Sequence, residues 1–301
     1  MYNTELKEKY LLEEQNNTRR QFIETLFKRS EKYEVQYGKD LHEFTLDNII
    51  YMYKSSNYKS LDSIRVVNST YSQYATWCNE ENHFIDMTTS MFCNVLNKDV
   101  INNHYVTRDK VLGWCRELPN PCDKFILLGL FEGLSGKDYC EFVNLERDDI
   151  DLESNTLTIS GIKKPFSREL CLFAEESGDE NNYYPMTVEG NSRFEYISFK
   201  PSNKVIKDYP NTDDNPTDFR KGRRIYHKIM RIFRYLGVES YMSPKAIRDS
   251  GIIETLRAIK KEKNLEDGVV FTDKYRIPVE EKYNRSIRKR TLILQYDAKD
   301  L

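Results

Sequence analysis

Between positions 220 and 234 the chain places Arg220, Lys221, Arg223, Arg224, Lys228, Arg231 and Arg234, and no acid. Elsewhere charge is balanced: 46 Lys and Arg face 48 Asp and Glu, for a net charge of −2. A segment emptied of one sign therefore stands out against the whole. Like charges on neighbouring helical turns repel, and a polyanion that neutralises them relieves the repulsion. Ile225, Ile229, Ile232, Phe233 and Leu236 recur between the cations at the spacing of one helix face. The chemistry indicated is contact with phosphates. A solvated helix face, or one that meets an acidic protein, would use the same residues. A second basic cluster, Arg285, Arg288, Lys289 and Arg290, lies near the C-terminus.

Other chemistries find little support. The six cysteines have no C-x-x-C spacing and the four histidines are not at metal-ligand spacings. Free thiols in a reducing cytoplasm, with no metal and no cofactor, are expected. No apolar run approaches the length of a membrane span, and the first residues do not read as a signal peptide. With 21 Tyr and 15 Phe the chain can fill a core although its hydrophobic fraction is only 39%.

The elements that would hold these cations read as mainly helical, with a small β-rich passage. Asn17-Thr18 opens a helix carrying Phe22, Leu26, Phe27 and Tyr33, and Thr45-Leu46-Asp47 starts a second. A third, capped by Ser60, aligns Ile64, Val67, Tyr71, Tyr74 and Cys78 as a core stripe, with Lys59, Arg65 and Asn68 off it. The boundary is set between residues 1–106 and 107–301, with Thr107 capping the next helix. Pro119-Asn120-Pro121 breaks the chain before two helices, CDKFILLGLFEG and DYCEFVNL. Leu157–Ile159 and Arg168–Leu172 are expected as strands joined by a turn at Gly161–Pro165, followed by a loop over 175–182 and a strand at Tyr196–Phe199. Helices return at FRKGRRIYHKIMRIFRYLGV and PKAIRDSGIIETLRAIKKEKN.

Ser243-Pro244-Lys245-Ala246-Ile247-Arg248-Asp249-Ser250 resembles the T-P-H-x-L-R-H-[ST] block of the tyrosine recombinase, or phage integrase, family. Upstream, GKDYCEFVNLERDDIDLESNTLTI resembles that family's G-L-R-x-x-E-L-x-x-L-x-x-x-D-I-D block and first strand, matching at Gly136, Glu141, Leu145, Asp149, Ile150 and Asp151. The likeness spans roughly residues 15 to 290. It implies a helical, DNA-clamping core-binding domain followed by a catalytic-fold domain. It also implies roles. Arg248 falls on the arginine that grips the attacked phosphate, and Lys245 replaces the usual histidine. The hairpin lysine falls on Lys163 or Lys164. The nucleophile position falls on Tyr283, with Tyr275 and Tyr296 fitting less well. The first catalytic arginine falls on Asp138, or on Ser135 in a register anchored at Gly133-Leu134. No His or Trp follows His227, so the last phosphate contact has no counterpart.

These departures bear on function. Attack on a phosphodiester builds charge that paired arginines neutralise. Losing one preorganised donor costs roughly 10²–10³ in rate, and two independent losses about 10⁴ or more. Binding, spread over many backbone contacts, suffers less. The expectation is a sequence-specific binder of double-stranded DNA that does not recombine it. A further resemblance, to recombinase-like repressors of prophages, implies transcriptional repression in a bacterial cytoplasm, at the nucleoid. The alternative is an active integrase using Tyr283. Expected contacts are Lys59, Arg65 and Asn68 in the first domain. In the second they are Lys163, Lys164, Arg220, Lys221, Arg223, Arg224, Lys228, Lys245 and Arg248. The apolar run Thr291–Tyr296 is expected either to pack on its own domain or to dock on a second copy.

Overall fold

The computed structural model describes residues 1–56, 58, 61–78, 81–96, 104–186, 195–210 and 217–301. The chain divides into two compact units, Met1–Ile101 and Asn102–Leu301.

The first unit is helical: α1 (Thr4–Glu13), α2 (Asn17–Tyr37), α3 (Leu46–Ser55), α4 (Leu61–Trp77) and α5 (Thr89–Val95). Asn16 caps α2 through two backbone N–H groups, and Thr45 with Asn48 forms a capping box at α3. Of the expected stripe, Ile64, Val67, Tyr71 and Tyr74 are buried. On α2 the buried register begins at Ile23 rather than Phe22, which is 40% exposed. Ser60, the expected cap of α4, lies outside the described residues. At the centre of this unit Lys7 is ion-paired to Glu34 with both side chains fully buried, and Ser30 Oγ and Leu41 N–H, each at 3.0 Å, also bond Glu34.

The second unit is organised on α7 (Pro121–Glu132), a helix apolar nearly all round and buried throughout its middle. Around it pack α6 (Arg108–Glu117), α9 (Arg168–Asp179), α10 (Asp218–Tyr235) and α11 (Pro244–Lys263). The short α8 (Cys140–Asn144) precedes an antiparallel sheet of β1 (Ile150–Asp151), β2 (Thr156–Ile159) and β3 (Ile162–Pro165), in that order. A second ladder pairs β4 (Asn182–Tyr183) with β5 (Ile197–Ser198). α12 (Asp273–Tyr283) and α13 (Lys289–Tyr296) complete the unit. Thr107 caps α6, and Tyr105 and Val106 already bond to Glu254 and Ser250 of α11.

Two expected elements are corrected. The strand read at Arg168–Leu172 is the first turn and a half of α9. Ser167 caps it by accepting from Leu170 N–H at 3.2 Å, and Leu170, Cys171, Ala174, Ser177 and Gly178 form its buried face. The acidic stretch after 174 is thus largely helix, not loop. The second strand of the hairpin is instead the segment read as its turn: Ile159 pairs with Ile162 and Leu157 with Lys164. Ser160 and Gly161 alone make the turn, with φ of 51° and 79°, the two positive values a tight two-residue hairpin requires.

Candidate nucleic-acid interface

α10 is capped by Thr217 and buries Ile225, Ile229, Ile232 and Phe233 against the core. The geometry of that stripe turns Arg220, Arg223, Arg231 and Arg234 outward, interleaved with exposed Phe219, Tyr226, His227 and Tyr235. Arg224 is half-buried and paired with Asp208 at 2.9 Å; Lys221 is also half-buried. Gly222 lets the helix lie on the Gly136–Tyr139 segment, since a Cβ there would stand 1.9 Å from the Asp138 carbonyl oxygen. Lys228 departs from the expected surface. Its side chain is enclosed, with Nζ bonded to Tyr209 Oη at 3.1 Å and 4.4 Å from the Tyr183 ring centroid. Burial alone depresses an ammonium's pKa; here Cys122, Asp123 and Tyr209 outweigh it and raise it. An enclosed, compensated cation is structural, so Lys228 is withdrawn from the set that faces a nucleic acid.

A second group forms around Arg248. Ser243 caps α11 by accepting from Ala246 N–H at 3.1 Å, with Pro244 at the first helical position. This sets Arg248 in the first turns of the helix, half-buried. Its Nη1 donates to Ser135 Oγ at 3.1 Å and its Nε meets no acceptor among the described residues. Ser135 N–H donates to Glu141 Oε2 at 2.7 Å, and Lys164 Nζ lies 3.5 Å from Glu141 Oε1. Ser135, Glu141, Lys164 and Arg248 are thus joined in one run of contacts. Burial, then the neighbouring Arg285 charge, depresses the Arg248 pKa. Lys163 points elsewhere, to Asp151 on an exposed edge at 3.3 Å. Asp138 stands against α10 in a left-handed conformation, so of the two readings of the missing arginine it is Ser135 that touches Arg248. Lys245 is half-buried and acts electrostatically on Asp249.

Asp249 is buried, which raises its pKa against the opposing Arg285 charge. Arg285 Nη1 lies 2.6 Å from one of its oxygens and Tyr296 donates to the other at 2.7 Å. Tyr283 is 1% exposed: its hydroxyl donates to the Phe131 carbonyl at 3.0 Å and lies 3.0 Å from Thr255 Oγ1. Burial raises its pKa well above that of a free phenol. Its ring fits against Gly133, where a Cβ would come within 3.1 Å of it, and its hydroxyl against Gly251, where a Cβ would come within 2.8 Å. As placed, this hydroxyl is bonded into the core rather than offered to a phosphate.

In the first unit Arg65 Nη2 bonds Thr89 Oγ1 at 3.2 Å. The Asn68 amide is committed at both ends, accepting from Tyr53 Oη and donating to the Phe84 carbonyl, each at 3.0 Å. Asn68, expected on the DNA face of this unit, therefore braces α3, α4 and the turn at Phe84. Lys59 lies outside the described residues. Sequence reasoning passed over Glu141 as a site residue although it stands in the matched block, and it had no signal for Arg285 beside Arg248.

The two units form a helical core-binding domain and a catalytic-fold domain of the tyrosine recombinase type. The chain belongs to the MrpR family: the family's N-terminal core-binding domain matches residues 1–80 and its C-terminal catalytic domain matches 105–295. It is 22% identical over 300 residues to the SPbeta prophage-derived uncharacterized protein YopR of Bacillus subtilis (strain 168), covering 94% of this chain and 91% of that one. A crystal structure of XerA recombinase aligns over 98% of this chain and 96% of its own, at a TM-score of 0.36 and 15% identity. Among the described residues no helix is long and apolar enough to cross a membrane.

Proposed function

We propose that this protein is a sequence-specific double-stranded DNA-binding regulator, a phage or prophage repressor on a recombinase fold that does not break DNA. The outward face of α10 carries the reading. It sets four exposed arginines among exposed aromatic rings with no acid from Phe219 to Tyr235, the footprint of phosphate contact. The group around Arg248 keeps that guanidinium and the Lys164 ammonium, with the Ser135 hydroxyl bonded to Arg248 and the neighbouring Arg285 engaged by Asp249. A neutral hydroxyl can position a phosphate oxygen, but it offsets the charge of a pentavalent transition state far less than an arginine does. Binding at promoters would place the protein on the nucleoid of the bacterial cytoplasm.

The competing reading is an active integrase using Tyr283. It requires the tyrosine to leave two hydrogen bonds and a slot between glycines. Incubation with a site nicked at the scissile position separates the two. A regulator forms no covalent adduct, and Tyr283→Phe binds as the unaltered protein does. A denaturation-stable adduct that disappears in the Phe variant establishes the integrase instead. Genome-wide occupancy gives an independent answer: discrete promoter sites for a regulator, a single attachment site for an integrase.

A further inference from the structure

Beside α10 lies a cavity of about 360 Å³ whose apolar floor the DNA-binding reading does not use. α8, the segment from Lys204 to Tyr209, and the inner flank of α10 enclose it. Its size falls in the range of about 300–1,000 Å³ seen for small-ligand sites. The walls divide into two chemistries. Val143, Ile206 and Ile225 give an apolar floor, and the Tyr209 ring extends it. That ring is held by stacking on Phe199, with centroids 5.6 Å apart and planes at 26°, and by the Lys228 ammonium. The rim is cationic, with Lys204, Lys221, Arg224 and Arg231; among the described residues Asp208 is the one acid lining the cavity. Asp208 pairs with Arg224 and Glu146, outside the cavity, pairs with Lys204, while the described residues of the lining carry six Lys and Arg against that single acid.

We infer that this cavity binds a mononucleotide, its base on the Ile206–Tyr209 floor and its phosphate among the rim cations, and that the occupant competes with the duplex for α10. A duplex presents phosphates on a convex rod with its bases stacked inside, so it would leave the apolar floor without a counterpart. A free phosphate would leave it unused as well. A flat ring joined to a phosphate matches both walls at once. The competition follows from shared residues: Lys221, Arg224 and Arg231 belong to the helix proposed to face DNA, and a cation bonded to a ligand phosphate is lost to the backbone. That second half rests on the regulator reading; the first does not.

The test is calorimetric titration of the full-length, DNA-free protein with nucleoside monophosphates, with inorganic phosphate and unphosphorylated nucleosides as controls. One saturable site for a monophosphate is expected, with each control binding at least about tenfold more weakly. Ile206→Trp, which fills the floor, is expected to abolish it. Lys221→Ala keeps the cavity open and is expected to weaken binding about tenfold, the loss of one hydrogen bond to a charged group. Circular dichroism checks that each variant is folded. If Ile206→Trp does not fold, Lys221→Ala decides. No saturation at millimolar nucleotide, equal binding of inorganic phosphate, or unchanged affinity in folded variants overturns the inference. A mobility shift with added nucleotide then reads the coupling: the duplex is expected to be released, and undiminished duplex binding at saturating nucleotide overturns the competition. A protein that binds nucleotide but no duplex at all would sink the regulator reading and leave the cavity assignment standing.

Discussion

Arg248 sits half-buried, bonded to the neutral Ser135, with an Nε that meets no acceptor among the described residues. Leaving a guanidinium in that condition is costly unless an anion completes it. Its sequence neighbour Asp249 is already satisfied by Arg285 and Tyr296, so an internal ion pair does not account for Arg248. Arg248→Ala is therefore expected to weaken DNA binding by about 1.5–3 kcal/mol while leaving the fold intact. Affinity measured on a variant shown to be folded checks it; unchanged affinity with a lowered melting temperature would make Arg248 a structural residue. A second single-residue effect concerns pH. Burial raises the Glu180 carboxyl to about 7, with Cys122, Asp123 and Lys228 as its neighbours. A folded pKa above the unfolded one means that the native state binds more protons between the two. Stability then falls as pH rises from the ordinary carboxylate range towards 7. Glu180→Gln is expected to flatten that part of the melting-temperature profile, and an unchanged slope would remove Glu180 as its source. The motif made Arg248 legible because it lies in a contiguous block. The partners that define its chemistry come from distant stretches of chain, Ser135 and Glu141 before the hairpin and Arg285 after α12. Spacing along the chain carries no signal for that convergence.

At the scale of elements, α10 was legible because its apolar stripe and its cations repeat with the same helical period. What period alone could not resolve was which cations the stripe takes with it. Lys228 adjoins Ile229 and lies next to the buried face, and the aromatic side chains that enclose it come from β4, the segment following β5, and Tyr209. The salt dependence of DNA binding separates the two kinds of cation. A surface that neutralises six to ten phosphates loses about 10³–10⁵ in affinity between roughly 50 and 200 mM salt. Replacing Arg223 or Arg231 by Ala is expected to lower the slope of log affinity against log salt by about 0.9 each. Lys228→Ala is expected to leave the slope alone and to destabilise the second unit, since it takes the opposing charge from buried Asp123 and the hydrogen-bond donor from the Tyr209 hydroxyl. A flat salt dependence of the unaltered protein would dismiss α10 as a phosphate-contacting surface. The misread element, α9, shows the opposite limit. RELCL sets Leu170 and Leu172 two apart, as one face of a strand would, and five residues are too few to tell a period of 2 from 3.6. The information that decided it was Ser167, whose hydroxyl caps the helix, and the run to Ala174 and Ser177 that extends the buried face.

For the whole molecule, two domains of this type were legible because motif order survives even where single catalytic positions do not. The fate of the C-terminal segment was not, since an apolar run reads the same whether it packs on its own domain or on a second copy. Here it packs on its own. Leu292, Tyr296, Ala298 and Leu301 are buried, Tyr296 bonds Asp249, and Asp300 takes a two-pronged bond from Arg257 with both contacts at 2.7 Å. Docking the same residues on a neighbour would first expose that apolar surface and release Asp249 from one of its two partners. Truncation after Arg290 is consequently expected to destabilise the second unit by several kcal/mol, since each large buried side chain removed costs roughly 2–5 kcal/mol. Differential scanning calorimetry of the full-length and truncated chains reads the loss. A truncated protein that melts normally but no longer binds paired sites cooperatively would mean the segment works between copies after all. A truncated protein that melts early, with cooperativity retained at temperatures where it is folded, assigns self-association to another surface.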